Sequence, residues 1–111
     1  MSQQAEALHH LLLQLEQALK RCHLWRSEPP APEAFLSTQP FCVDTMSFAE
    51  WLQWVFVARL RALLEAQRPL PQGSQVAPLA AELWKDQPEA LHLCPVLEKI
   101  DACLNGENHA Q

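Results

Sequence analysis

Glycine is nearly missing from this chain of 111 residues, which holds only Gly73 and Gly106. Tight hairpin turns rely on glycine at positive φ, so a hairpin-rich sheet is a poor fit. Long apolar runs are missing too. The longest later run is Trp54-Val55-Phe56-Val57-Ala58, whereas a membrane span needs about 20 residues. The start, Met1-Ser2-Gln3-Gln4-Ala5-Glu6, has no basic segment, and Leu11-Leu12-Leu13 is too short for a secretory core, so a cytoplasmic location and no membrane contact are expected. Cys22, Cys42, Cys94 and Cys103 form no CxxC pair. They read as small buried hydrophobes rather than disulfides. Positive charge is also short: 8 Lys and Arg stand against 13 Asp and Glu, a net charge of −5. The balance is −2 over residues 1–46, +1 over 47–68 and −4 over 69–111. An acidic chain repels phosphate backbone, so direct nucleic-acid binding is not expected.

What is there points to helices. The hydrophobic fraction is 49%, enough for one globular domain over residues 1–111, and at this size folding buries roughly 65% of the chain's surface. Ala5, Leu8, Leu12, Leu15, Leu19 and Cys22 recur at steps of three and four, predicting a helix from Ser2, its N-cap, to Trp25. At 1.5 Å per residue it would be roughly 35 Å long. Pro29, Pro30 and Pro32 then open a connection over 27–46. That is long for a plain loop, and Phe35, Leu36 and Phe41 favour a packed arm with a helical turn near Pro32–Leu36. Ser47-Phe48-Ala49-Glu50 fits a capping box for a second long helix, Ser47 to Gln67, stopped by Pro69. Its broad face of Phe48, Trp51, Leu52, Val55, Phe56, Leu60, Leu63 and Leu64 predicts a central position. A short helix from Pro78 to Lys85 should follow. A last one should start near Asp86-Gln87-Pro88-Glu89, kink or break at Pro95, and stop at Asn105-Gly106. The expected fold is all-α: a small antiparallel helical bundle with a Pro-rich ordered arm between the first and second long helices.

The string STQPFCVDTMSFAEWLQWVF, residues 37–56, followed by Arg59-Leu60 and Pro69-Leu70-Pro71, resembles the bacterial YqcC-like family. Trp25-Arg26, Val76-Ala77-Pro78 and Leu97-Glu98-Lys99 fit the same pattern. The resemblance covers roughly residues 8–104. It implies a small helical bundle with no assigned activity and no catalytic residues to carry over. It also implies an association with a tRNA pseudouridine synthase, because family members occur beside such an enzyme or joined to it. The family pattern has an aromatic residue where Leu79 stands.

No residue set reads as a catalytic centre, and no cofactor or metal is expected. Pseudouridine synthases use an Asp nucleophile, which draws attention to Asp44. Asp44 and Thr45 precede a helix start, however, where short polar side chains cap free N–H groups. Cys42 lacks a neighbouring base in sequence. His9-His10, Cys22-His23 and His92-x-Cys94 lack the i, i+4 spacing of a helical zinc pair. Trp51 and Trp54 lie three apart, with Gln53 between them and pointing elsewhere. Arg59 and Arg61 cannot share a helical face, and Glu28 or Glu50 would pair with one of them. Two functions remain. One is a non-enzymatic protein-interaction module with a protein partner, a tRNA pseudouridine synthase by resemblance, using Gln39, Phe41, Asp44, Trp54 and Arg59. The other is a small-molecule binder with a cleft between the arm and the second long helix. Phe41, Trp51 and Trp54 would line that cleft, and Thr38 and Gln39 would orient the ligand. Gln39, Gln53 and Trp54 stand out as side chains assigned neither to caps nor to core. A homodimer through the second helix is the remaining arrangement.

Overall fold

The computed structural model describes residues 2–106, and every regular element within them is helical. Helix α1 spans Gln3–Arg21, with Ser2 Oγ accepting from the Ala5 N–H at 3.0 Å. Leu8, Leu12, Leu15 and Leu19 form the expected buried stripe. The helix ends at Arg21 rather than Trp25, because His23 takes a left-handed backbone (φ 61°) and the Leu24 N–H turns back to the Leu19 carbonyl at 2.8 Å. Glycine usually makes this ending.

The arm over 27–46 is ordered. It carries one 3₁₀ turn at Pro32–Leu36, as expected, and a second at Pro40–Cys42. Thr45 Oγ1 donates to the Ala34 carbonyl at 2.7 Å, and Ser37 Oγ donates to Asp44 Oδ1 at 2.5 Å. Asp44 and Thr45 therefore staple the arm to itself instead of capping the next helix. Ser47 makes that cap alone. Its Oγ accepts from the Glu50 N–H at 3.1 Å, and Glu50 Oε1 accepts from the Ser47 N–H at 2.9 Å.

One continuous helix then covers 48–66 in three parts: α2 (Phe48–Trp51), a π-helical stretch (Leu52–Val57) and α3 (Ala58–Ala66). A π-helix holds more residues per turn than an α-helix. It rotates the face expected from the sequence, so Val57 joins Leu52 and Leu60 in the core while Val55 is only half-buried. Gln67, left-handed at φ 56°, closes α3.

Helix α4 (Val76–Leu83) begins two residues before the expected Pro78. Its start is capped from another element: Asp101 accepts from Val76 N–H (3.1 Å), Ala77 N–H (2.8 Å) and Ser74 Oγ–H (2.5 Å). Asn105 Oδ1 takes the Gly73 and Ser74 N–H groups, at 2.7 and 3.0 Å. Pro95 breaks the last helix into α5 (Pro88–Leu91) and α6 (Cys94–Leu104), and itself sits in the first turn of α6, where a missing N–H costs nothing.

The central element is α6, not the second long helix. It lies between α1 and α4 with Leu97, Ile100, Cys103 and Leu104 buried. Gln4 Nε2 donates to the Cys103 carbonyl (2.9 Å) and Cys22 Sγ donates to the Glu89 carbonyl (3.3 Å), so the chain runs antiparallel along α1. The broad apolar face of the second long helix has another cause: the arm covers part of it. Arg61 of α3 pairs with Glu16 of α1 at 2.7 Å, not with Glu28 or Glu50.

Candidate apolar groove

Aromatic rings join the arm to two helices. Phe41 meets Trp51 edge-on at 4.8 Å, Trp51 stacks on Phe48 at 5.7 Å, and Phe48 meets Trp84 edge-on at 5.3 Å. Each such pair contributes about 0.5–1.5 kcal/mol beyond its buried area. The cluster holds Phe41 in an unusual backbone, φ 58° and ψ 20°, followed by Cys42 at φ 50°. Left-handed geometry costs a bulky residue roughly 1–2 kcal/mol.

Beside this cluster lies a groove of about 570 Å³ between the arm, the start of α2 and the end of α4. Its apolar walls include Pro40, Phe41 and Val43 from the arm, Leu79 and Leu83 from α4, and Trp84 at the C-cap of α4. Val43 is 57% exposed and Leu83 40% exposed. Ser47 and Gln87 are polar lining residues, and Arg26 is the one charged residue among them. A second concavity of about 680 Å³, beside the C-terminal end of α1, is lined by Arg21, Cys22, His23, Gln87, Glu89 and His92 among others. It is larger, but Arg21, His23, Glu89 and His92 bring charged or ionisable groups to it and Leu24 is its one large aliphatic lining residue. The apolar groove is therefore the better binding candidate.

Gln53 lies behind the groove. It is only 5% exposed, so the sequence-based assignment to the surface is wrong. Its Oε1 accepts from the Arg26 N–H at 2.8 Å, and its Nε2 donates to the Arg26 carbonyl at 2.7 Å. One buried amide thus clamps both backbone groups of the residue at the groove's edge. The π-helical stretch places Gln53 inward, and nothing in the local sequence signals that turn.

Among the residues singled out from sequence, only Phe41 lines the groove. Thr38, Gln39 and Asp44 are exposed on the arm, with Asp44 held by Ser37 and the Gln39 N–H donated to the same hydroxyl at 3.0 Å. Arg59 is exposed on α3. Trp54 is half-buried, and its Nε1 is buried without a hydrogen-bond partner. Trp51 joins the aromatic cluster but, like Trp54, does not line the groove. Sequence reasoning did not assign Val43, Leu83 or Trp84 to a site, and it noted Leu79 only as a departure from the family pattern. Arg26 drew notice only within the family pattern Trp25-Arg26. The available signal was Val43 close to Phe41, a further large apolar side chain on the arm.

The cysteines offer no activated thiol where a shift is resolved. Burial pushes the Cys94 and Cys103 thiols up, and the Glu98 charge adds to the effect at Cys94. Among the described residues no three His, Cys, Asp or Glu side chains are grouped to hold a metal, and no helix is long and apolar enough to cross a membrane.

A family model described as tRNA pseudouridine synthase C matches residues 7–103. An uncharacterized protein of Haemophilus influenzae is 43% identical over 95 residues, covering 86% of this chain and 90% of that one. The uncharacterized protein YqcC of Escherichia coli is 46% identical over 94 residues, covering 83% of this chain and 86% of its own length. The solution NMR structure of protein YqcC from E. coli superposes with a TM-score of 0.81 at 37% identity, over 96% of this chain and 92% of that one. A tRNA pseudouridine synthase C of Pectobacterium carotovorum is 43% identical over 74 residues, which are 67% of this chain but 20% of that protein.

Proposed function

The chain belongs to the YqcC-like family, whose model is described as tRNA pseudouridine synthase C, and on that footing we propose that it is a non-enzymatic docking module serving tRNA pseudouridine modification. The observation that carries this reading is the solvent-open apolar groove, with Phe41, Val43 and Leu83 exposed along it. Contiguous exposed apolar surface on a small folded domain marks a place where something binds. The Pectobacterium relative supports the choice of partner. A stretch similar to this chain makes up a fifth of a protein that carries the synthase name. Covalent linkage supplies a high effective concentration; a separate chain needs a surface of its own to achieve the same pairing. Asp44 supports the non-catalytic reading, since its carboxylate is engaged by Ser37 and lies outside the groove lining.

The test is a strain lacking this gene. Mass spectrometry of its tRNA should show pseudouridine lost at specific sites, and affinity capture of the tagged chain from native lysate should recover the synthase. Unchanged pseudouridine together with no co-purifying synthase would sink the proposal. A small-molecule binder is the second reading, favoured by the groove's volume, which lies within the range of ordinary ligand pockets. A thermal-shift screen in which no apolar metabolite stabilises the chain would count against it.

A further inference from the structure

We infer that the groove takes an amphipathic helical segment of a partner protein whose apolar face carries one acidic side chain, and that Arg26 meets that acid. The inference rests on the docking reading above and deepens it by naming the chemistry of the segment.

The argument begins with Arg26. It lines an otherwise uncharged groove, and no ion pair among the described residues involves it. A lone cation at the edge of an apolar surface is complementary to a lone anion carried on an apolar face. The chain's net charge of −5 disfavours a broadly acidic partner, so the matching charge is single and local.

The Gln53 clamp is the second strand. Burying an amide is costly unless both of its ends are hydrogen-bonded. Here both ends go to the backbone of one residue, Arg26. A leucine at position 53 would bring no polar group of its own and would release the Arg26 N–H and carbonyl to find water at the exposed edge. What the glutamine adds is a fixed main chain at Arg26, so its charge is presented from a set point and less ordering remains to be done on binding. Gln53 is a positioning residue.

The groove's form chooses between occupants. Small molecules favour pockets that enclose most of their surface. This groove is open, and Val43 and Leu83 extend its apolar surface to solvent. Such a surface accepts a helix laid along it through residues spaced i, i+3, i+4 and i+7. Phe41 and Trp84, locked in the aromatic cluster, supply rigid anchors.

The probe is a displayed library of random helical peptides, selected on the intact chain and measured by fluorescence anisotropy. Selected peptides should carry an apolar stripe with one Asp or Glu. Changing that acid to its amide should weaken binding about tenfold, and Arg26→Gln should weaken it by the same factor, with little further loss when both are changed. Gln53→Leu should lose the preference for acid over amide while still binding the amide peptide; a merely structural role would weaken both alike. If Gln53→Leu fails to fold, the Arg26 cycle still decides, because Arg26 is exposed. Peptides selected without an acid, or an acid preference untouched by Arg26→Gln, would overturn the inference. So would selection of no peptide while dodecanoate shifts the NMR signals of Trp84 and Phe41. Acid-bearing peptides combined with unchanged tRNA pseudouridine would remove the accessory role and leave the groove's chemistry standing.

Discussion

Replacing Asp101 should test whether one side chain of α6 holds the groove's far wall. Asp101 is 8% exposed and accepts three hydrogen bonds from the start of α4. In Asp101→Ala the Ser74 hydroxyl can turn to water, since Ser74 is only half-buried. The Val76 and Ala77 N–H groups cannot, because both residues are buried. Each stranded donor costs about 1–3 kcal/mol. Losing a carboxylate at a helix N-terminus adds about 0.5 kcal/mol. The expected loss is about 2.5–6.5 kcal/mol, a large share of the roughly 5–15 kcal/mol available to a small domain. Asp101→Asn keeps one acceptor oxygen and should cost about half as much. Urea unfolding followed by tryptophan fluorescence and far-UV circular dichroism measures both. Because α4 carries Leu79 and Leu83 of the groove, peptide binding should weaken in the Ala variant at urea concentrations where wild type still binds. An Ala variant within about 1 kcal/mol of wild type, or an Asn variant as damaged as Ala, would refute the trans-cap account.

Gln67 and His23 hold exposed left-handed helix ends, so Gln67→Gly and His23→Gly should each stabilise the protein by up to about 1 kcal/mol, read as a rise in Tm of several degrees. Trp54→Phe removes a buried donor that has no partner, which offsets the packing lost with the smaller ring; urea unfolding should find a net change within about 1 kcal/mol, and a larger loss would refute that offset. The Lys20 and Arg61 hydrogen bonds hold the Glu16 carboxyl below the ordinary carboxylate range, against the opposing effect of burial. A lowered folded value means that the contribution is complete at neutral pH and is lost as pH falls below about 4.3 and through that value. Wild type should therefore lose more stability than Glu16→Gln between about pH 5 and pH 3 in denaturant melts.

The local features were legible in the sequence, and the ones set by contact were not. The α1 stripe, the Ser47–Glu50 capping box, the turn at Pro32–Leu36 and the stop at Asn105 all depend on residues a few positions apart. Pro95 was readable as an interruption, though only the structure shows it restarting a helix. The α3 end at Gln67 was legible from Pro69, but the α1 end at His23 went unseen because no glycine or proline marks it. Asp101 caps a helix some 25 residues earlier in the chain, and no window-based pattern reaches that far. The groove suffered most. Three of its apolar walls, Leu79, Leu83 and the C-cap residue Trp84, belong to a helix and its end that meet the arm only in three dimensions.

The π-helical stretch connects these misses. In a straight α-helix Leu52 would align with Phe56, four residues on. Here Leu52 and Val57, five apart, are both buried, and Gln53 is buried beside them. Phe56 is released to stack on Trp51 at 5.5 Å, continuing the aromatic cluster that supports Phe41. The wider turn therefore does two things at once: it turns Gln53 inward to Arg26, and it leaves the aromatic side of the helix facing the arm. π-helical turns weaken regular helix geometry and persist where something compensates. Two backbone hydrogen bonds to Arg26 and the aromatic stack are that compensation, and both support the same groove. The departure from helical regularity inside the second long helix thus builds the walls and the Arg26 clamp of the proposed groove together.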